Sequence, residues 1–444
     1  MSTANNDAVR TFTAFALTVT PVIKQQMLNW ANQFNICCFM DNHGYHSGHG
    51  SYECMVAAGA RKWVKLRAGN AFSLLNAFSH QQRDWLFGHF GFDLKQETEQ
   101  VPSLLPDRIG FPDCYFFVPE HLLLVKGNEV QVSSYSKDAN ALIREVLAMG
   151  HSNGEEKPGS NPSIELLPAF SRQEYISRVN ALKAHIHRGD CYEINFCQEF
   201  FASDAEIQPV SVYRRLAAIS PNPFSVYYRL DDLYLACASP ERFLKIEGGR
   251  LWSQPIKGTA PRNLQDPAED ARLAKELLES AKEKSENVMV VDLVRNDLSR
   301  VCKSGTVKVE ELFGLYSFPQ VHHMISTITG LLGEGLTWVD AVKACFPMGS
   351  MTGAPKKRVL ELIEQYENVR RGIFSGAVGY VSPAGDADFN VVIRSVLYNE
   401  TEKMLSCLVG SGITWYADAA AEYEECLLKA AAIRQALGDG RKTD

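Results

Sequence analysis

Apolar and polar positions alternate over residues 243–247, break at Gly248-Gly249, and alternate again over 250–253. A Gly-Gly pair between two extended runs predicts a two-residue β-hairpin, because both turn positions require positive φ. With Gly248 facing Gly249, the pairing sets Glu241 opposite Ile256 and one position from Lys257. Pro255 has no ladder donor, so regular pairing is expected to loosen there and free Lys257 to turn. A carboxyl and an amine then meet at one end of the hairpin, beside Gly258-Thr259. On this stretch alone, an ion pair closing a surface hairpin is the simpler account.

Helical signals bracket that hairpin. Ser171-Arg172-Gln173-Glu174 is a capping box that opens a helix running to about Arg188 and stopping at Gly189. Strands are expected over 191–201, 225–230 and 233–238, the second entered through Asn222-Pro223. Asp266-Pro267 with Glu269 starts another helix, and a second runs through Arg300. On it Glu283 and Glu286, three residues apart, share a face. The last third reads as strands over 376–381, 389–398 and 404–409, followed by Gly410-Ser411-Gly412. Asp418 then caps a terminal helix ending near Gly438. That helix carries Glu422 and Glu425, with Lys429 four residues beyond Glu425 and on its side. Upstream, two short strands are expected at 114–118 and 122–125. The polar, Gly/Pro/Ser-rich stretch 151–162 divides an N-terminal α/β part (1–150) from a larger part (163–444).

Composition narrows the classes. The 444 residues are 45% hydrophobic and 22% charged, enough for a large core, with no apolar run long enough to span a membrane. The net charge of −7 argues against a nucleic-acid partner. The start lacks a signal-peptide layout, and the eleven cysteines show neither C-x-x-C nor zinc spacing; they read as reduced thiols of a cytoplasmic protein.

Several side chains are candidates for chemistry. Two helices that each present an E-x-x-E face could hold a hard divalent cation through oxygen, although such pairs are also common on solvated faces. Arg394, inside an apolar strand pattern, needs a partner, and a planar carboxylate suits it. His323 is by default a satisfied core histidine. Gly353-Ala354 could cradle an anion or simply turn into a helix. His43, His46 and His49 lie among glycines with no adjacent acid or thiol, which favours a loop over a metal site.

The segments GDCYEINFCQ, NPFSVYYRL, SPERF, PIKGT, ENVMVVDLVRND, FPQVHH, GSMTGAPK, the IRS around Arg394, GSGI and EYEEC follow one another between residues 165 and 437. Together they resemble the chorismate-utilising enzymes, and most closely the branch that includes component I of aminodeoxychorismate synthase. Residues 88–93 match more loosely. The resemblance implies an α+β fold, a two-sheet antiparallel β-sandwich flanked by helices, with the active site in a cleft between the sheets. It implies Lys257 as a nucleophile on the chorismate ring and Glu241 as the general acid for the departing 4-hydroxyl. The first role calls for a lowered lysine pKa and the second for a raised carboxyl pKa. It implies Mg2+ on Glu286 and Glu425, with Glu283 and Glu422 acting through water. It implies substrate contacts from Arg394, Gly410, Gly412 and Lys429 on the carboxylate and from Gly258 and Thr259 on the enolpyruvyl side, with His323 near the ring.

Departures bear on the activity. Anthranilate synthases usually carry alanine where this chain has Lys257, and isochorismate synthases place a water-activating lysine where it has Glu193. His43 replaces a serine of the relatives' tryptophan pocket, which leaves tryptophan binding open. No G-x-C-x-G elbow of a glutaminase is present. The expected activity is therefore 4-amino-4-deoxychorismate formation from chorismate and ammonia, with ammonia supplied by a separate glutamine amidotransferase subunit. The alternatives are anthranilate synthase component I and a non-catalytic paralogue that binds chorismate or tryptophan.

Overall fold

The computed structural model describes residues 9–45, 50–150, 164–318 and 321–439. The expected linker, together with His46 and His49, lies outside them. The named strands join in a continuous antiparallel network. It divides into two limbs at the long strands Cys54–Leu66 and Cys114–Lys126, which pair with each other. One limb continues through Ile36–Asp41, Phe224–Leu230, Leu233–Ser239, Ser395–Asn399 and Met404–Ile413 to Glu193–Ala202. The other continues through Leu86–Phe90, Ala377–Val381, Ala387–Asn390, Arg242–Glu247 and Arg250–Gln254. It ends at Val321–Leu331, which also pairs with Ile256–Pro261 and Lys308–Ser317. Strands from the first 150 residues are thus bonded into both limbs.

Two cores follow from the alternation of side chains across these strands. One lies between the limbs and holds Tyr228, Leu235, Cys237, Phe87, Phe117, Phe243, Leu244 and Phe389. The other lies between the first limb and its helices, with Phe196, Phe200, Tyr227, Val396 and Cys407 meeting Trp30, Tyr175, Leu216 and Ile433. The capping signals act as the sequence implies. Helix Arg172–His187 starts at a two-way Ser171/Glu174 capping box and ends before Gly189 at φ 83°. Asp418 accepts the N–H groups of Ala420 and Ala421 at the start of Ala419–Leu437, and Gly438 closes that helix in the left-handed region. All eleven cysteines are free. Among the described residues no helix is long and apolar enough to cross a membrane.

Three local expectations need correction. The strands expected at 114–118 and 122–125 are a single strand, because Pro119 pairs with Ala60 beside a bulge in the partner and does not interrupt the ladder. The hairpin keeps its expected register from Glu247↔Arg250 to Lys245↔Trp252, with Gly248 and Gly249 at φ 56° and 76°. A bulge then shifts it to Arg242↔Gln254, so Glu241 falls level with Pro255 and not with Ile256. The expected strand 389–398 is broken. Its first part, Ala387–Asn390, belongs to one limb and its second, Ser395–Asn399, to the other. Residues 391–394 cross between them, and Arg394 has φ 52°. Arg394 therefore sits at a crossover, with a conformation uncommon for a side chain of its size.

Candidate active site

Lys257 and Glu241 meet where the hairpin loosens. Strand Ile256–Pro261 pairs Ile256 with Ile325 and then slips before pairing Thr259 with His323. The slip falls on Lys257 and on Gly258, whose φ is 94°. Glu241 is 5% exposed, and the Ser350 hydroxyl and the backbone N–H of Ile256 lie close enough to its carboxyl to favour the charged form. The bulge thus removes the backbone alignment, yet the side chain still reaches the residue before Lys257. Burial raises the Glu241 carboxyl from 4.5 to about 7, against the opposing pull of Lys257. That agrees with a group meant to carry a proton near neutrality.

Lys257 departs from expectation. Burial alone would lower its pKa, but the carboxylates of Glu193, Glu286 and Glu241 outweigh burial and raise it. Lys257 Nζ donates directly to Glu193 Oε1, and the two side chains are 12% and 3% exposed. Lys257 is therefore a paired ammonium. In the sequence Glu193 stands out only as a departure from the isochorismate synthases. No local signal ties it to Lys257, because it arrives from the opposite limb, 64 residues away.

The four helical carboxylates flank this pair. Glu283 lies against Gly258, where an added Cβ would stand 3.2 Å from its Oε2. Glu286 Oε1 is buried without a hydrogen-bond partner among the described residues, and burial raises that carboxyl to about 7 despite Lys257. Glu422 accepts from Ser411 Oγ, and burial raises it. Burial also works against charge on Glu425, but Lys429, 2.6 Å away, holds that carboxyl below its usual value. Lys429 Nζ also donates to Gly410 O at 2.7 Å. Lys282 lies within the fields of all four glutamates and 3.9 Å from Glu286. Among the described residues no three acidic, histidine or cysteine side chains form a closed metal cage. An all-carboxylate set that includes one orphaned buried oxygen fits a hard cation completed by water or substrate, which is the habit of Mg2+.

The far wall is built from the strand paired with Lys257. Thr259 Oγ1 and His323 Nδ1 are 2.9 Å apart, and burial with the nearby Arg394 charge lowers His323 to about 3, so the imidazole is neutral. Arg394 and His323 line one cavity with Ser220, Asn222, Pro240 and Phe318. Burial lowers the Arg394 guanidinium, although Glu425 opposes this. Among the described residues no side-chain carboxylate is paired with Arg394. A cation that lines a cavity without an internal partner is suited to an anionic ligand.

The sequence model of the chorismate binding enzymes matches residues 40–435. The chain belongs to that family. It is 39% identical to aminodeoxychorismate synthase component 1 of Salmonella typhimurium, over 76% of this chain and 73% of the relative. It is 34% identical to anthranilate synthase component 1 of Thermus thermophilus, over 79% and 76% of the two chains. Among solved structures it resembles anthranilate synthase component I of Streptococcus pneumoniae, with TM-score 0.76, 26% identity, and 88% and 93% coverage. As a chorismate-binding enzyme, the chain brings all thirteen candidate side chains and glycines into one region between the limbs. His43 lies elsewhere: its N–H donates to Asp41, which also takes Lys24 Nζ at 2.6 Å and borders a separate cavity with Tyr45, Tyr52, Phe224 and Tyr380.

Proposed function

We propose that this chorismate-utilising enzyme converts chorismate and ammonia into 4-amino-4-deoxychorismate, the precursor of 4-aminobenzoate for folate. The observation that carries this reading is a primary amine, Lys257, held in the cleft beside a buried, protonatable Glu241. Lys257 as free amine attacks the ring carbon next to the carboxylate-bearing one. The double bond shifts, and the 4-hydroxyl leaves with the Glu241 proton as water. Ammonia then attacks the 4-position, the double bond returns, and Lys257 is expelled, so one ammonia is consumed and one water released.

Arg394 and Lys429, with the Gly410 and Gly412 backbone, are suited to the substrate carboxylates, while Gly258 and Thr259 face the enolpyruvyl group. Neutral His323 fixes the Thr259 hydroxyl and borders the ring. Glu286 and Glu425 would hold Mg2+ directly, and Glu283 and Glu422 through water; the ion supplies positive charge that offsets repulsion between the glutamates and the ring carboxylate. Ammonia delivery by a separate glutamine amidotransferase subunit and a cytoplasmic setting complete the proposal.

The deciding experiment supplies the purified chain with chorismate, Mg2+ and an ammonium salt, with and without aminodeoxychorismate lyase. Lyase-dependent 4-aminobenzoate is expected, and Lys257→Ala abolishes it. Anthranilate as product would replace the reading with the ortho-amination seen in the relatives' names. Absence of turnover, even with a cognate amidotransferase, would point to a binding-only paralogue.

A further inference from the structure

The proposed chemistry needs a neutral Lys257, and the structure holds it as an ammonium against a carboxylate that has no role so far. Glu193 stands at the start of strand Glu193–Ala202, and its position is fixed from both sides. Its backbone pairs with Ala354, the Tyr192 N–H donates to Ala354 O at 2.7 Å, and the Asn195 N–H donates to Thr352 O at 2.7 Å. Its Oε1 accepts from Lys257, and its Oε2 is buried with no hydrogen-bond partner among the described residues. Gly412 makes room for the contact, since a Cβ there would lie 2.9 Å from Lys257 Nζ and 3.0 Å from Glu193 Oε1. A strut between limbs would gain from satisfying both carboxylate oxygens. A proton acceptor is instead served by a carboxylate that no second donor among the described residues holds in its charged form.

We propose that Glu193 is the proton acceptor that converts Lys257 from ammonium to nucleophilic amine. The inference rests on the covalent reading above. Glu193 takes one proton from Nζ, the freed lone pair forms the bond to the ring, and the carbon–oxygen bond at the 4-position breaks as Glu241 protonates the leaving oxygen. When ammonia enters and Lys257 departs as an amine, Glu193 returns the proton and the ion pair re-forms. The new ring ammonium gives its extra proton to Glu241. No proton has to reach solvent within the cycle. The charges facing this pair are Glu241 beside Ile256–Pro261, Glu286 on Ala281–Ser299 and Glu425 on Ala419–Leu437, with Lys282 beyond Glu286.

The test omits ammonia, so that the first half-reaction is read alone. Wild type and Glu193→Gln are mixed with chorismate and Mg2+ between about pH 6 and 9, and the Lys257 adduct is followed by intact mass as chorismate less one water. In the variant the lysine must lose its proton to solvent. The ratio of variant to wild-type rate is therefore low at neutral pH and climbs by about tenfold per pH unit until Lys257 titrates. Formate added to Glu193→Ala restores the rate at neutral pH, and Glu193→Asp retains the wild-type profile. A ratio that stays constant with pH, or no rescue by formate, makes Glu193 a structural partner and overturns the proposal while leaving the lysine adduct intact. A wild-type protein that forms aminodeoxychorismate yet never an adduct overturns the covalent reading itself.

Discussion

Glu241 is a carboxyl whose environment favours the acid. Its folded pKa of about 7 lies above the ordinary 4.5, with burial the dominant cause. Two consequences follow with opposite readouts. As the proton donor to the leaving hydroxyl, it loses competence as pH rises, so kcat/KM falls about tenfold per pH unit above about pH 7. Glu241→Gln, which cannot donate, loses turnover at every pH. For stability, folding takes up a proton between the two pKa values. The contribution is full below pH 4.5 and is lost as pH rises through about 7. Glu241→Gln is therefore more stable than wild type near pH 8, by up to about 3 kcal/mol. Urea unfolding of both proteins across this range measures the difference. The slope is reduced and not abolished, since Glu286 titrates with the same sign. At this scale the sequence named the acid and the amine but not the charge on the amine. The residue that decides that charge meets Lys257 only through the closing of two limbs.

Elements differ in how much of their placement a local pattern carries. The capped helices and the Gly-Gly turn were readable, because each signal satisfies backbone groups within a few residues. The break at residues 391–394 was not. The apolar run continues through it while the strand changes pairing partners, and hydrophobicity does not report which limb a residue faces. The same limit hid the bulge that displaces Glu241. Two glycines near the site separate the roles of element and side chain. At Gly353, φ is 146° and an added Cβ would stand 2.0 Å from the carbonyl oxygen of Glu193, a backbone atom that cannot step aside. Gly353→Ala therefore strains the contact between the two strands and costs about 3 kcal/mol. At Gly412 the obstructing atoms are the ends of Lys257 and Glu193, which can swing away. Gly412→Ala is expected to cost less than about 1 kcal/mol while lowering the rate by about 100-fold, because the pair is misplaced. Melting curves beside steady-state rates check both. Equal destabilisation by the two variants would contradict the distinction.

The whole molecule explains why the site lies where it does. Helix Ala281–Ser299 packs on the strands Ile256–Pro261, Lys308–Ser317 and Val321–Leu331 of one limb, while Ala419–Leu437 packs on Met404–Ile413 and on the helices of the other. Each helix delivers one carboxylate pair, so the acidic charge gathers along the seam between limbs. Lys257 and Glu193 bridge that seam, with Lys282 and Lys429 offsetting the surrounding glutamates. The family resemblance implied such a cleft, but the bare sequence could not, since every contact across it joins residues distant in the chain. A cation held by Glu286 and Glu425 would tie the two limbs together and bind only the folded state. Mg2+ should therefore raise the melting temperature, by an amount corresponding to about 2.7 kcal/mol at a hundred times its dissociation constant. Glu286→Gln and Glu425→Gln should each remove most of that shift, though the first acts from one limb and the second from the other. Differential scanning fluorimetry without chorismate gives the answer independently of turnover. A shift that persists in both variants would place the cation away from the seam.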